Sequence, residues 1–180
     1  MTLLEAVNIA PDDRELIPPA LLAQSSSFPE ITAFGGVEGV NMKVLMANVE
    51  GGAFAVQIRF APGTQLATHA HTGAVLAYTL KGEWSYLEYE GKVDSCRAGD
   101  FLYEPPGSNH TLKVADDAEE TEVFFVIFGA MLITDAEGNL IAVLDAQSHL
   151  REYTQNCLER GFPVPPMILG GNGKYLEQRG

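Results

Sequence analysis

The chain has 180 residues, with 24 acidic against 11 basic side chains and a formal net charge of −13. That length suits one core, and a composition 46% hydrophobic and 19% charged is too apolar for a disordered chain. The acidic balance, without any Lys/Arg cluster, argues against nucleic acid and anionic membrane surfaces, so neither is expected as a partner.

Even the longer apolar runs, such as Val123–Phe128, fall short of the ~20 residues a bilayer span needs. Residues 1–6 (MTLLEA) show no basic segment leading into an apolar stretch, so no secretory signal is expected and the expected location is cytoplasmic. Cys96 and Cys157 form no CxxC pair and are expected to be free thiols in a reducing compartment.

Taken in chain order, residues 1–35 carry Pro18-Pro19 and Ser25–Ser27 and read as an N-terminal arm with a single helical turn. Strands are predicted at Asn41–Val49, Ala53–Phe60, Val75–Leu80, Trp84–Tyr89, Phe101–Glu104, Thr111–Val114, Val123–Phe128, Met131–Thr134 and Leu140–Leu144. Turn residues separate them, at Glu50–Gly52, Ala61–Gly63, Lys81–Gly82, Glu90–Gly91 and Asp135–Gly138. Closely spaced strands rich in Val, Ile and aromatics signal an all-β sandwich or barrel, here assigned to residues 36–145. In the strand at 84–89, alternation would place Trp84, Tyr86 and Glu88 on one face. The acidic stretch Asp116–Glu120 has no central Gly at calcium-loop spacing and reads as a solvated hairpin loop.

One helix is predicted after the strands, capped by Asp145 or Ser148, with Leu150, Tyr153, Cys157 and Leu158 on its apolar side and Gly161 ending it. Phe162–Pro166 is too proline-rich for regular structure, and Gly170–Gly173 reads as flexible. Residues 146–180 are therefore a helix and tail packed on the same single domain.

Four histidines carry the chemical argument: His69, His71, His110 and His149. His69 and His71 are two apart, so in a strand they project to the same face. On an inward face they would offer two lone pairs to one cation; on an edge strand they would be an exposed pair. His110 follows a strand and the sharp Pro105-Pro106-Gly107 reversal, which can return it beside the first two. His149 opens the predicted helix, where an exposed position is expected, and it is left out of the site.

These residues resemble the cupin family. Its first motif is Gly, five residues, His-x-His, three or four residues, Glu, six residues, Gly; Gly63, His69, His71 and Gly82 fit, with Val75 in the Glu position. Its second is Gly, five residues, Pro-x-Gly, two residues, His, three residues, Asn; Gly99, Pro105, Gly107 and His110 fit, with Val114 in the Asn position. The resemblance implies a double-stranded β-helix (jelly-roll) barrel with three histidine metal ligands. A finer resemblance, over residues 52–161, is to the 2,4'-dihydroxyacetophenone dioxygenase-like cupins, through Gly82–Glu88, Tyr103–Leu112 and a tail pattern of Phe128–Ile133, Gly138, Asp145 and Tyr153. It implies iron held by three histidines, cleaving a carbon–carbon bond with O2 to give two acids. Acetylacetone-cleaving and thiol dioxygenases also lack the Glu. The same subgroup resembles the cupin domain of zinc anti-sigma factors, so a sensory or regulatory module is the alternative reading, together with an oxygen-independent Zn(II) or Ni(II) isomerase, lyase or hydrolase.

Three neutral imidazoles leave the charge of a divalent ion uncancelled and three octahedral positions open, enough for a bidentate substrate and O2. Anionic chelators such as an enolate or deprotonated hydroxyketone are favoured. The donor set suits Fe(II), but also Zn(II), Ni(II) and Cu(II). If His69 and His71 face inward, alternation carries Val75, Ala77 and Thr79 to the cavity side. Trp84, Tyr86 and Tyr103 are candidates for lining it or for plain core. Glu104 is the candidate base or supporting carboxylate, with fourth ligand and turn cap as its other readings; a dry cavity would raise its pKa. Val123–Phe128 is apolar on both faces, as expected for a buried central strand or for association as a homodimer or homotetramer.

Overall fold

The computed structural model describes residues 20–89, 95–135, 137–170 and 174–175. The predicted turn at Glu90–Gly91, the Pro18-Pro19 part of the arm and Gly171–Gly173 lie outside the described residues. The strands are β1 (Ile31–Thr32), β2 (Val40–Asn48), β3 (Ala53–Phe60), β4 (His69–His71), β5 (Val75–Lys81), β6 (Glu83–Tyr86), β7 (Cys96–Arg97), β8 (Phe101–Glu104), β9 (Asn109–His110), β10 (Leu112–Lys113), β11 (Thr121–Phe128), β12 (Met131–Thr134) and β13 (Leu140–Leu144). Helix α1 (Ala146–Glu159), β14 (Ile168–Gly170) and β15 (Lys174–Tyr175) follow.

The largest sheet runs β15-β14-β2-β3-β11-β5-β8, with β1 also paired to β2. Two smaller sheets, β10-β6-β7 and β13-β12-β4-β9, complete the sandwich. Period-two alternation aims Phe54, Val56, Ile58 and Phe60 of β3, and Val123, Phe125 and Ile127 of β11, into one core. Trp84 and Tyr86 enter that core from the opposing sheet, Trp84 within 5.9 Å of the Phe125 ring.

The predicted strand at 84–89 ends early. After Tyr86 the chain makes a 3-10 turn, Leu87–Tyr89, and Glu88 accepts hydrogen bonds from the Thr111 N–H and hydroxyl, each 2.7 Å. The predicted strand at 111–114 is likewise shorter, only β10, and the separate short strand β9 precedes it. β9 pairs with β4, β10 pairs with β6, and Thr111 stands where the chain changes partner. The acidic stretch at 116–120 is an exposed loop, as read from the sequence.

Both ends of the described chain are more integrated than the sequence suggests. The arm has its turn, Ser25–Ser27, but then buries Phe28, Ile31 and Phe34 in the core and adds β1 to β2. Beyond the proline-rich segment, Met167 is buried and Ile168 pairs in parallel with Met46 of β2. Helix α1 begins as predicted, Asp145 and Ser148 forming a reciprocal capping box. Its buried side is Ala146, His149, Tyr153 and Cys157, while Leu158 is exposed. The expectation of an exposed His149 is thus overturned: it continues the i, i+4, i+8 stripe of Tyr153 and Cys157. Both cysteines are free and buried, and burial raises the Cys96 thiol to about 11, which leaves it unreactive. Among the described residues, no helix is long and apolar enough to cross a membrane.

Candidate metal centre

Three buried histidines come together inside the barrel. His69 and His71 share the inner face of β4, and His110 on β9 is the direct cross-strand partner of His69. Their ring centroids are 5.1 Å (His69–His71), 4.7 Å (His69–His110) and 5.6 Å (His71–His110) apart. One ligand atom from each lies within 4.8 Å of the others. The proline turn makes this convergence local. Gly107 adopts φ +82°, a conformation glycine takes without strain, and its N–H donates to the His71 carbonyl at 2.8 Å. Gly73, between His71 and Val75, sits so close to β11 that a Cβ there would lie 2.3 Å from the Phe128 carbonyl oxygen.

A carboxylate stands beside the cluster. Glu104 Oε2 is 3.2 Å from His110 Nε2 and 3.5 Å from His71 Nε2. Its other oxygen accepts the Tyr86 hydroxyl. Glu104 Oε2, His110 Nε2 and His71 Nδ1 are nonetheless buried polar atoms with no aligned hydrogen-bond partner. Buried orphans are costly unless something satisfies them. Two donors each about 2.1 Å from one cation and at right angles to it lie about 3 Å apart, close to the 3.2 Å between Glu104 Oε2 and His110 Nε2. The donor set therefore fits a divalent transition-metal ion. His69 Nδ1 lies 2.8 Å from the Ala67 carbonyl; that oxygen can only accept, so the proton sits on Nδ1 and Nε2 is left as the ligand atom.

The electrostatics agree. Burial lowers the pKa of His69 and takes His71 from 6.5 to about 4, so both hold their lone pairs at neutral pH. The expected rise at Glu104 is corrected. Burial does push upward, but contact with His110 and His71 and the Tyr86 hydrogen bond outweigh it, and the carboxyl titrates below its ordinary value. Burial, then the neighbouring Glu104 charge, holds the Tyr86 phenol well above 10, so it remains a donor.

Two cavities flank this group. One of about 160 Å³ lies in the barrel interior, lined by His69, His71, Val75, Tyr86 and Glu104 at the histidines, by His149 and Glu152 of α1, and otherwise mainly by apolar side chains such as Val56, Phe60, Phe125 and Ile127. The second, about 170 Å³, is lined by Ser85, Tyr86, Tyr89, Cys96, Tyr103, Glu104 and His110. Tyr86 and Glu104 belong to both walls. Alternation does carry Val75, Ala77 and Thr79 inward. Of the other candidates, Val75 and Tyr86 line the first cavity, whereas Ala77 and Trp84 sit in the surrounding core, Trp84 donating to Thr79 Oγ1 at 3.0 Å. Tyr103 lines only the second cavity and is 56% exposed. Sequence reasoning missed His149 and Phe34, which line the first cavity; the apolar stripe through Tyr153 was the available signal for His149.

The family described as the ChrR cupin-like domain matches residues 24–132. A protein of unknown function with a cupin-like fold from Ralstonia eutropha JMP134 is 30% identical, with a TM-score of 0.76 over 85% of this chain and 95% of its own. An RmlC-like cupin from the same organism is 24% identical, with a TM-score of 0.76 over 84% and 94%. An acetylacetone dioxygenase from Acinetobacter johnsonii, 18% identical, shares the fold with a TM-score of 0.65 over 77% and 92%. No curated protein matches the chain. With this barrel, this turn and these three histidines, the chain belongs to the ChrR-like cupins.

Proposed function

We propose that the protein is a non-haem Fe(II)-dependent dioxygenase that cleaves a carbon–carbon bond of a small, aryl-bearing hydroxyketone or β-diketone with O2. The observation that carries this reading is a buried all-histidine cluster, with no carboxylate on its own strands, facing an apolar cavity. The acetylacetone dioxygenase fold neighbour adds support.

Iron bound by His69, His71 and His110 would supply Lewis acidity toward a chelating oxygen pair and the redox partner that O2 requires. The chain's own residues do the rest. The Nδ1 contact of His69 with Ala67 fixes its ring. Val75, where a ligating Glu would otherwise stand, keeps that wall dry and strengthens charge interactions within it. Glu104, ionised and aligned by Tyr86, is positioned to take the proton that the substrate loses from its hydroxyl or α-carbon. A hydroxyketone R–CO–CH2OH and O2 then become R–COOH and HCOOH, all atoms conserved.

Metal analysis of untagged protein beside His110→Ala, followed by oxygen uptake with aryl hydroxyketones and β-diketones, tests the proposal. Near-stoichiometric iron lost in the variant, with oxygen consumed, supports it. Oxygen-independent turnover, or zinc that iron cannot replace, overturns it in favour of an isomerase or sensor. Association as a homodimer or homotetramer is part of the same proposal, supported by Tyr78, Phe101 and Tyr103, which expose aromatic surface on β5 and β8. A monomeric mass by light scattering would remove that part.

A further inference from the structure

Met131 is a half-buried side chain to which the proposed chemistry gives no role. It opens β12, whose antiparallel register sets Met131 opposite His71 and Ile133 opposite His69. Directly opposed residues share a face, with Cβ atoms about 5 Å apart. Met131 and Ile133 both line the interior cavity beside these histidines, so the thioether is held in the neighbourhood of any ion that the cluster binds. Its sulfur is soft and readily oxidised.

The other sulfur groups of the described residues are placed less favourably. Met42 lines the same cavity but sits on β2, four strands from β8, about 19 Å along the sheet from the strand that carries Glu104. Met46 is half-buried like Met131, yet it belongs to the stretch of β2 that pairs with β14 and lies outside the cavity lining. Met167 and Cys157 are fully buried. Cys96 is buried beside the second cavity as the protonated thiol, the unreactive form.

We propose that Met131 is a site of metal-directed oxidation, at which hydrogen peroxide converts the thioether to the sulfoxide and turns the wall beside His71 polar. The reaction is R–S–CH3 + H2O2 → R–S(O)–CH3 + H2O. A sulfur lone pair takes one peroxide oxygen, the O–O bond breaks, and the other oxygen leaves as water with both protons. Sulfur is oxidised by two electrons and peroxide is reduced by two. The inference rests on the proposed iron site, since a redox-active ion at the histidines directs the oxidation to its own neighbourhood. A sulfoxide oxygen in an apolar wall must be desolvated whenever a ligand fills the cavity, so oxidation weakens the binding of apolar ligands. The thioether thereby acts as a brake on the site when peroxide accumulates.

Peptide mass spectrometry after brief exposure to peroxide tests this on the protein metal-free, loaded with Fe(II) and loaded with Zn(II). Without metal or with zinc, Met131 and Met46, both half-buried, are expected to gain oxygen at similar rates. With iron, Met131 should be oxidised about tenfold faster than Met46. Equal rates with iron, or the same preference without a redox-active ion, overturns the inference; a protein that takes up no iron overturns both this inference and the oxygenase. Affinity for acetophenone, titrated without O2, should fall about tenfold when the iron protein is treated with peroxide, and by less than about twofold in Met131→Leu. No loss in the wild type, or an equal loss in the variant, overturns the brake. Should the variant fail to fold, the ratio of Met131 to Met46 oxidation in the wild type decides. The two readings separate cleanly. Iron-directed oxidation of Met131 without ketone-dependent oxygen uptake supports Met131 and removes the oxygenase; oxygen uptake by a protein whose Met131 oxidises no faster than Met46 does the reverse.

Discussion

Val75 and Glu104 are direct cross-strand partners on β5 and β8, both on the inner face of the barrel. The carboxylate that the cupin motif carries at the Val75 position is therefore displaced by one strand, onto its neighbour. It still reaches the histidines, but from the side that Tyr86 controls.

That exchange can be run in reverse. In metal-free protein, Val75→Glu alone places two buried carboxylates opposite each other and is expected to cost about 3–5 kcal/mol. Combined with Glu104→Val the cost should shrink, with coupling of about 1–3 kcal/mol between the sites. Urea titration of the two single variants and the double variant measures it; strict additivity would show that the two positions do not interact.

Tyr86→Phe removes the hydrogen bond to Glu104 while keeping the ring, which packs 4.2 Å from His110. We expect a stability loss of about 1–3 kcal/mol, from leaving a buried carboxylate short of a donor. Metal content should stay intact and kcat should fall at least tenfold with little change in KM. Loss of metal instead would assign Tyr86 to holding the cluster together.

Metal-free protein is expected to lose stability as the pH falls from above 6.5 toward 4. The unfolded chain takes up protons on His69, His71 and His149 near 6.5, whereas burial delays uptake in the folded state, at His71 to about 4. A shift of that size is worth about 3 kcal/mol for His71 alone. Glu104, with its folded pKa lowered, contributes stability above the ordinary carboxylate pKa and loses it below, in the same direction. Melting temperatures at pH 7, 5.5 and 4.5 should fall stepwise, and less steeply in His71→Phe; a flat profile would contradict burial of neutral imidazoles.

Gly73→Ala drives a Cβ against the Phe128 carbonyl, backbone that cannot give way as a side chain tip could. It should destabilise by about 2–3 kcal/mol. Because Thr72-Gly73 joins β4 to β5, metal content should fall too. Circular-dichroism melting and metal analysis read both effects, and an unchanged Tm would mean that β11 moves aside freely.

The strands were legible where period two and turn residues coincide: β3, β8, β12 and β13 have the predicted bounds. The inward sequence of Val75, Ala77 and Thr79 followed from the histidines alone. Strands of two or three residues, such as β1 and β14, carry no period, so their place beside β2 shows only in the fold. The division between cavity and core escaped the sequence for a different reason. Trp84 and Tyr86 share a strand face, but only Tyr86 reaches the space beside the histidines, and that depends on what the opposing sheet leaves unfilled. His149 was missed because a polar residue type stood for an exposed position, although its helical spacing marked it as inward.

The outer edge of β2 is sealed by segments from the two ends of the chain: β1 pairs at Asn41 and Met42, β14 at Met46. On the ribosome these covers arrive at very different times. β1 is already present when β2 emerges, while β14 follows the end of β2 by 120 residues, 168 − 48. Until β14 emerges the Met46 stretch of β2 therefore carries unpaired backbone donors and acceptors, a template for any other nascent strand. The vulnerable interval for aggregation falls between the two, and a translational pause within it would lengthen it.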